Sequence, residues 1–257
     1  MSEPTAPTGI EAKGLPPIDI NEYGGKRDGV RQAMNRRLFM QLLVFRAPSG
    51  GTFDAPDTLG AALTKVLRSH RVNGVVYADA MDPRSLGLLT WSEDPAHFVT
   101  TVRPLFTQST FLHVEFRSDY AMLGRTYATG HEPDLEWSLT KRPIENVTNE
   151  AYRWHVWYPL RRKGSFAKLE PIDQSHILRE HAALGIAYGQ AELATDVRLA
   201  CHGIDAGDNE FVIGLMGHDL HPLSHLVQAM RKTRQTSEFI EKMGPFFVGY
   251  VIGQSCE

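Results

Sequence analysis

The chain has 257 residues, 42% of them apolar and 22% charged, with a formal net charge of −3, which suits one large globular domain or two small ones. No basic excess points to nucleic acid, the apolar stretches 38–45 and 246–252 are far too short to span a bilayer, and the opening MSEPTAPTGIEAKG lacks the apolar segment of a secretory signal. Two cysteines make no disulfide framework: Cys201 lies in an apolar run and reads as a small core residue, Cys256 as a frayed end, and a soluble, cytoplasmic protein is expected.

Residues 1–34, rich in Pro, Gly and charge, read as an extended arm or disordered tail. The stretch 36–45 (RRLFMQLLVF) reads as a buried strand. A helix over 59–69 carries Leu59, Leu63 and Val66 on one side. Residues 74–79 (GVVYAD) and 87–91 are strand-like, 96–105 a second helix and 111–116 a further strand. A connector runs from about 117 to 150. The order then repeats: strand 152–160, helix 174–188 with Asp173 as its N-cap, strands 196–202 and 210–215 around the turn 205–209, helix 222–234 and strand 246–252. This β-α-β-β-α-β pattern, written once over 35–150 and again over 151–257, predicts an α+β fold. Two ferredoxin-like halves close face to face into a barrel with helices outside.

The chemistry-bearing residues concentrate in the second half. In YRWHVWYPL, alternation puts Tyr152, Trp154, Val156, Tyr158 and Leu160 on one face and Arg153, His155 and Trp157 on the other. The strand runs into Arg161, Arg162 and Lys163, so a tyrosine ends beside a cationic cluster. That suits a carboxylate ligand, which arginine binds through two parallel hydrogen bonds; the alternative is a core strand followed by a solvated basic turn. On the helix, Ile177, His181, Leu184 and Tyr188 share one stripe, and Gly185 leaves room beside it for a flat ligand. A histidine so placed is either a hydrogen-bonded core residue or a metal ligand, and an imidazole facing an apolar slot is what a five-coordinate haem requires. His218, His221 and His225 with Asp219 form a weaker constellation. His221 and His225 are four apart, but Pro222 suggests a helix start between them and no H-E-x-x-H pattern is present. Ser109, His113 and Asp119 carry no nucleophile elbow.

Five segments, WYPLRRKGSF (157–166), REHAALGIAYG (179–189), HGIDAGDNEFV (202–212), MRKTRQTSEF (230–239) and GPFFVG (244–249), together resemble the haem-binding half of the chlorite dismutase and coproheme decarboxylase family, in order and at nearly its spacing. The resemblance covers roughly the last 105 residues; the first half resembles the family in architecture only. It implies that His181 is the ligand of a haem iron and that Tyr158 is the tyrosine coproheme decarboxylases oxidise beside a propionate. Arg162 and Thr236 fall on propionate-binding residues, Leu160 and Ala194 on the cofactor site, and Arg142 near a further propionate-binding arginine, two residues further from Tyr158 than in the family. The implied cofactor is haem b or coproheme, the co-substrate hydrogen peroxide and the assembly a homo-oligomer with a pentamer favoured, without nucleic-acid or membrane partners.

Three departures shape the reading. Ala194 stands where chlorite dismutases carry a distal arginine and one decarboxylase group a glutamine, which argues against chlorite dismutation. Decarboxylases with a small residue there use a distal histidine from an earlier strand, and His131, in Gly130-His131-Glu132-Pro133, reads either as that histidine or as a surface loop residue. Arg234 falls on the glutamate that accepts a hydrogen bond from the iron-bound histidine. A cation cannot accept that bond, so either Glu238 substitutes or His181 is a weaker donor. Phe166 replaces a family tryptophan. The readings in competition are peroxide-dependent coproheme decarboxylation, a haem protein serving as weak peroxidase, carrier or sensor, and a barrel that has lost the cofactor.

Overall fold

The computed structural model describes residues 17–47 and 56–256. Within the stretch read as an arm, β1 (Glu22–Arg27) and β2 (Val30–Met34) form an antiparallel hairpin. Its two-residue turn is Asp28-Gly29, with φ of 51° and 81°, the left-handed pair that matches the twist of a tight hairpin. Residues 1–16 lie outside the described region.

The first half contains β3 (Phe39–Arg46), α1 (Pro56–Ser69), β4 (Gly74–Asp79), β5 (Ser85–Ser92), a π-helical turn at Phe98–Val102 leading into α2 (Arg103–Leu105), β6 (Glu115–Phe116) and β7 (Met122–Thr126). A second π-helical turn, Trp137–Lys141, leads into α3 (Arg142–Thr148). The second half contains β8 (Trp154–Arg162), α4 (Pro171–Gln190), β9 (Thr195–Ala200), β10 (Phe211–Gly217), α5 (Leu220–Met230), α6 (Arg234–Phe239), β11 (Ile240–Met243) and β12 (Phe247–Ser255).

The strands are ordered β7-β3-β5-β4 in one half and β12-β8-β10-β9 in the other, which is the same order, fourth-first-third-second, of a β-α-β-β-α-β unit. Antiparallel seams β4–β12 and β7–β9 join them, so eight strands close into one barrel. Alternation decides what fills it. Met40, Leu42, Tyr77, Leu89, Trp91, Trp157, Leu199 and Phe247 point inward and form the lumen core. Gly214 makes room for Trp157, since a Cβ there would lie 2.6 Å from its ring. Among these apolar groups His155 donates Nε2–H to the Tyr152 carbonyl (3.1 Å) and accepts at Nδ1 from the Tyr77 hydroxyl (2.8 Å). Burial pushes His155 down to about 3, so it is neutral and fully paired. Cys201 is buried as expected, its Sγ–H on the Asn209 carbonyl, and burial pushes the thiol up to about 12.

Several expectations are corrected. The fourth strand of the first half is β7, inside the expected connector, and not 111–116. Phe111 instead plugs the core under α1, and only Glu115–Phe116 pairs, with β3. The glycine that weakens β7 as a sequence signal is needed at the seam, because a Cβ on Gly124 would meet Leu199 at 2.6 Å. The helix α4 starts at Pro171, a residue pre-set for a first turn, so Asp173 lies inside it and Glu170 is the N-cap. The expected helix 222–234 is two helices, α5 and α6, with Thr233 at the break. Among the described residues no helix is long and apolar enough to cross a membrane.

Candidate functional site

The outward faces of β8, β10 and β9 form a continuous wall. Register pairs Tyr158 with Ile213 and Ile213 with Arg198, and, one row along, Val156 with Leu215 and Leu215 with Asp196. With strands ~4.8 Å apart, Arg198 stands roughly 10 Å from Tyr158 on the same face. Above this wall runs α4, which buries only Ile177 of its 20 residues. Gly185 keeps the gap open: a Cβ there would meet nothing nearer than Met230 Cε at 3.8 Å. The helix therefore stands off the sheet over a slot.

His181 is fixed from behind. Its Nδ1 lies 3.2 Å from Thr233 Oγ1, and that hydroxyl donates its proton to the Met230 carbonyl at 2.7 Å. The oxygen is thus left to accept Nδ1–H, which places the imidazole lone pair on Nε2, and Nε2 has no hydrogen-bond partner among the described residues. Burial lowers the pKa of His181, and the nearby Arg198 lowers it further. The ring is a neutral donor, the form a metal needs. Of the two alternatives drawn from Arg234, substitution by Glu238 does not hold. Arg234 turns out to pair with Glu238 (3.1 Å), both half-exposed, and its backbone N–H bonds Glu180, so Glu238 does not serve His181. A neutral hydroxyl, Thr233, takes the place behind the histidine. Thr236 sits next to it, 3.4 Å from Thr233 Oγ1.

Tyr158 is buried, stacked on Phe246 at 4.6 Å, and burial raises its pKa, with Asp196 adding to the rise; it is a neutral phenol. Leu160 and Ala194 are buried in the same outer cluster. Ala194 precedes β9, so the wall opposite His181 is made by Asp196 and Arg198, four residues further on at most. Arg142 reaches this wall too, its Nη2 2.6 Å from Asp196 Oδ1, while Arg198 Nε lies 3.2 Å from Asp196 Oδ2. Burial raises the Asp196 carboxyl, but the two guanidiniums outweigh it and hold it below the usual range. Arg162 is sandwiched between Phe166 and Phe211, 4.7 Å from each ring, and bonds Glu210 through Nε (3.2 Å). Its terminal nitrogens make no hydrogen bond among the described residues. A groove of about 470 Å³ between α4 and α5 also reaches Thr233.

His131 is exposed on the loop after β7, its backbone N–H on Glu132, and no contact among the described residues draws its ring to the wall. Of the other histidines, His225 pairs with Tyr188 through a short hydrogen bond and lies 6.1 Å from the His221 ring, His218 packs edge-on against Tyr152, and no cluster of three metal-binding side chains occurs among the described residues. Four residues at the slot escaped the sequence reading: Asp196, Arg198, Thr233 and Tyr127, whose ring lies tilted at 48° to Phe211, 5.5 Å away. For β9 the signal was present, since TDVRLA alternates Val197 and Leu199 inward with Asp196 and Arg198 outward.

The chlorite dismutase family model matches residues 136–252, the segment that holds this slot. Over those residues, somewhat less than half of the chain, the sequence is similar to the chlorite dismutase family. No curated protein is significantly similar in sequence. Among solved structures, a haem-binding protein from Thermus thermophilus superimposes with a TM-score of 0.64 at 15% identity, covering 84% of this chain and 91% of that one. A variant of the chlorite dismutase from Candidatus Nitrospira defluvii, in complex with cyanide, gives 0.66 at 12% identity, covering 85% and 92%. At such identities the likeness to the family's structures is one of fold, and it extends over both halves of the barrel.

Proposed function

We propose that the slot holds an iron porphyrin, ligated by Nε2 of His181, and that the protein is a peroxide-dependent oxidoreductase acting on the porphyrin's own propionates, as a coproheme decarboxylase does. The observation that carries this reading is the His181–Thr233 pair under a helix that stands off the wall bearing Tyr158. The residues fit such a group: a neutral imidazole with a free nitrogen, a flat slot kept open at Gly185, and the Arg162 fork with Thr236 for carboxylates. When bound, iron porphyrin and hydrogen peroxide supply an oxidant able to take a hydrogen atom from a phenol. Tyr158 supports the chemistry by being neutral and buried: its Oη would hold a transferable hydrogen atom between the group and an adjacent propionate, whose conversion to a vinyl group would release carbon dioxide and a proton and give up two electrons, the two that one peroxide accepts. Arg162 and Thr236 hold the carboxylate in reach, and the apolar wall of Val156, Leu160 and Leu215 excludes water.

A second reading, a haem protein without this activity, is favoured by one observation: the group behind His181 is a neutral hydroxyl and not a carboxylate, which makes the imidazole a weaker donor. Purified protein loaded with iron coproporphyrin and titrated with peroxide decides between them. Loss of carboxyl groups by mass spectrometry, abolished in Tyr158→Phe, supports decarboxylation. A His181-dependent Soret band with no mass change supports the second reading. Absence of any Soret band defeats both.

A further inference from the structure

The barrel lumen holds two titratable groups that the slot's chemistry does not use. Tyr77 and His155 are sealed from solvent, and the Tyr77 hydroxyl donates to His155 Nδ1 at 2.8 Å. The backbone is shaped around this bond. Tyr77 stands on β4 and His155 on β8, with β12 between them. On β12, Gly249 lies in register with His155, and a Cβ there would fall 2.9 Å from the Tyr77 ring. On β5, Gly87 lies opposite Tyr77, and a Cβ there would fall 3.2 Å from the same ring. Side chains at these positions would push the phenol off the imidazole. His155 in turn gives Nε2–H to the Tyr152 carbonyl at 3.1 Å, which keeps Nδ1 as the acceptor.

Trp157 lies beside the pair, also sealed. Its indole N–H makes no hydrogen bond of ordinary length among the described residues. It is nevertheless close enough to the Tyr77 hydroxyl to act on it: burial raises the Tyr77 pKa, and the indole N–H lowers it. Trp157 precedes Tyr158 in the chain, and alternation turns the two to opposite faces of β8. One peptide step therefore joins the slot wall to the lumen pair. Of Tyr77 and Tyr158, only Tyr77 has a base on its hydroxyl.

We infer that Tyr77, with His155 as its proton acceptor, is a second redox-active tyrosine, an internal electron donor connected through Trp157 to a one-electron oxidant in the slot. A phenol that loses an electron becomes a very strong acid. Its proton here moves along the existing 2.8 Å bond to Nδ1, within the reach of direct proton transfer. Tyr77 is left as a neutral tyrosyl radical and His155 as an imidazolium, and the oxidant is reduced by one electron. Burial disfavours the imidazolium, so an electron returned from a reductant brings the same proton back to Tyr77. No atom enters or leaves the lumen. The pair itself does not depend on what fills the slot; its use, draining an oxidising equivalent that meets no substrate at Tyr158, rests on the porphyrin reading above.

The test uses the full-length protein in two arms. In the first, without porphyrin, flash photolysis of tris(bipyridine)ruthenium(II) with persulfate supplies a one-electron oxidant. Electron paramagnetic resonance then follows the tyrosyl radicals that survive ascorbate, which reduces those at the surface. The wild type should keep a signal, and Tyr77→Phe, whose ring still fills the glycine cradle, should lose it. His155→Gln should shorten its lifetime roughly tenfold or more, since an amide accepts a hydrogen bond but not the proton. No surviving signal in the wild type, a signal undiminished in Tyr77→Phe that is folded by circular dichroism, or an unchanged lifetime in His155→Gln overturns the inference. In the second arm, protein loaded with iron porphyrin and mixed with peroxide should give the same signal, severalfold weaker in Trp157→Phe. A ruthenium signal with none from peroxide, or no effect of Trp157→Phe, overturns the connection to the slot. Absence of a Soret band defeats the porphyrin reading alone, and the ruthenium arm still decides the pair.

Discussion

Beneath α1, the first half packs Leu59, Leu63 and Leu67 against Val76, Leu86 and Leu88, all of them sealed from solvent. Beneath α4, the second half has the same strand order and the same crossover, yet only Ile177 is sealed. The contrast lies in the sheet faces. The part of the face that α1 covers is lined by Val76, Leu86 and Leu88, so the helix can close on it. Under α4 the face carries Asp196 and Arg198 beside Tyr158 and Ile213, and burying that ion pair dry would cost several kcal/mol per charge. Ile172 and Ile186 of α4 are left about three-fifths exposed, at 62% and 60%. One copy of the unit therefore serves stability, and the other gives up packing for a slot that a ligand can complete.

The largest effect expected from this contrast is on core leucines. Leu63→Ala should destabilise the protein by about 2–5 kcal/mol, whereas Leu184→Ala, half-buried on α4, should cost about 1 kcal/mol or less. Urea unfolding of the two variants measures both, and equal costs would remove the distinction between a packed and an unpacked helix.

Glycines sharpen it, because here the two regions should respond with opposite sign. Gly214→Ala drives a Cβ into the Trp157 ring in the lumen and should cost about 1–3 kcal/mol. Gly185→Ala has room for its Cβ and replaces a poor helix former, so the free protein should gain up to ~1 kcal/mol. Porphyrin affinity should fall in the same variant, because the methyl enters the slot. A stabilised Gly185→Ala that binds as well as the wild type would mean the slot lies elsewhere.

Lumen and slot can also be compared through pH. The unfolded chain takes up a proton on His155 near 6.5, but the native lumen resists it down to about 3. Stability contributed by neutral His155 is therefore full above 6.5 and is lost progressively as pH falls from 6.5 towards 3. His181 shifts in the same direction, so its share is also lost below 6.5. Denaturant midpoints at neutral pH and midway through that range should differ less in His155→Gln than in the wild type. A slope left unaltered by that substitution would show that the lumen pair does not set the acid limit.

Much of this was legible in the amino-acid order. Alternation in YRWHVWYPL sorts Trp157 and His155 into the lumen and Tyr158 and Leu160 onto the wall, as the structure has them. The doubled β-α-β-β-α-β pattern carried the fold. The hairpin was legible as well, since Asp28-Gly29 is the strongest short hairpin signal, but the Pro- and Gly-rich surroundings masked it. What could not be read was register. Nothing local in Gly124 announces a strand, because its value is a contact with Leu199 75 positions away. Thr233 escaped because family spacing directed attention to Arg234, one residue on, while the chain breaks between α5 and α6 and turns that arginine outward. Arg198 and Tyr127 become neighbours only once the β7–β9 seam closes the barrel.

The smallest effect expected is the one Thr233 exerts on a bound iron, and it bears on how far the slot's chemistry departs from a carboxylate-backed histidine. Thr233→Val keeps the shape and removes the oxygen that accepts Nδ1–H, leaving a buried donor without a partner at a cost of about 1–3 kcal/mol to the free protein. The effect on a bound iron is electronic and smaller. Without an acceptor the imidazole is less basic, so the iron–imidazole stretching frequency should drop slightly and the iron potential rise. Thr233→Asp places a carboxylate near the same nitrogen and should move both quantities the other way. Resonance Raman spectra of the three loaded proteins should rank Asp above Thr above Val. If the three coincide, the hydroxyl is not the group behind the ligand, and the neutral-partner argument for a weaker donor falls with it.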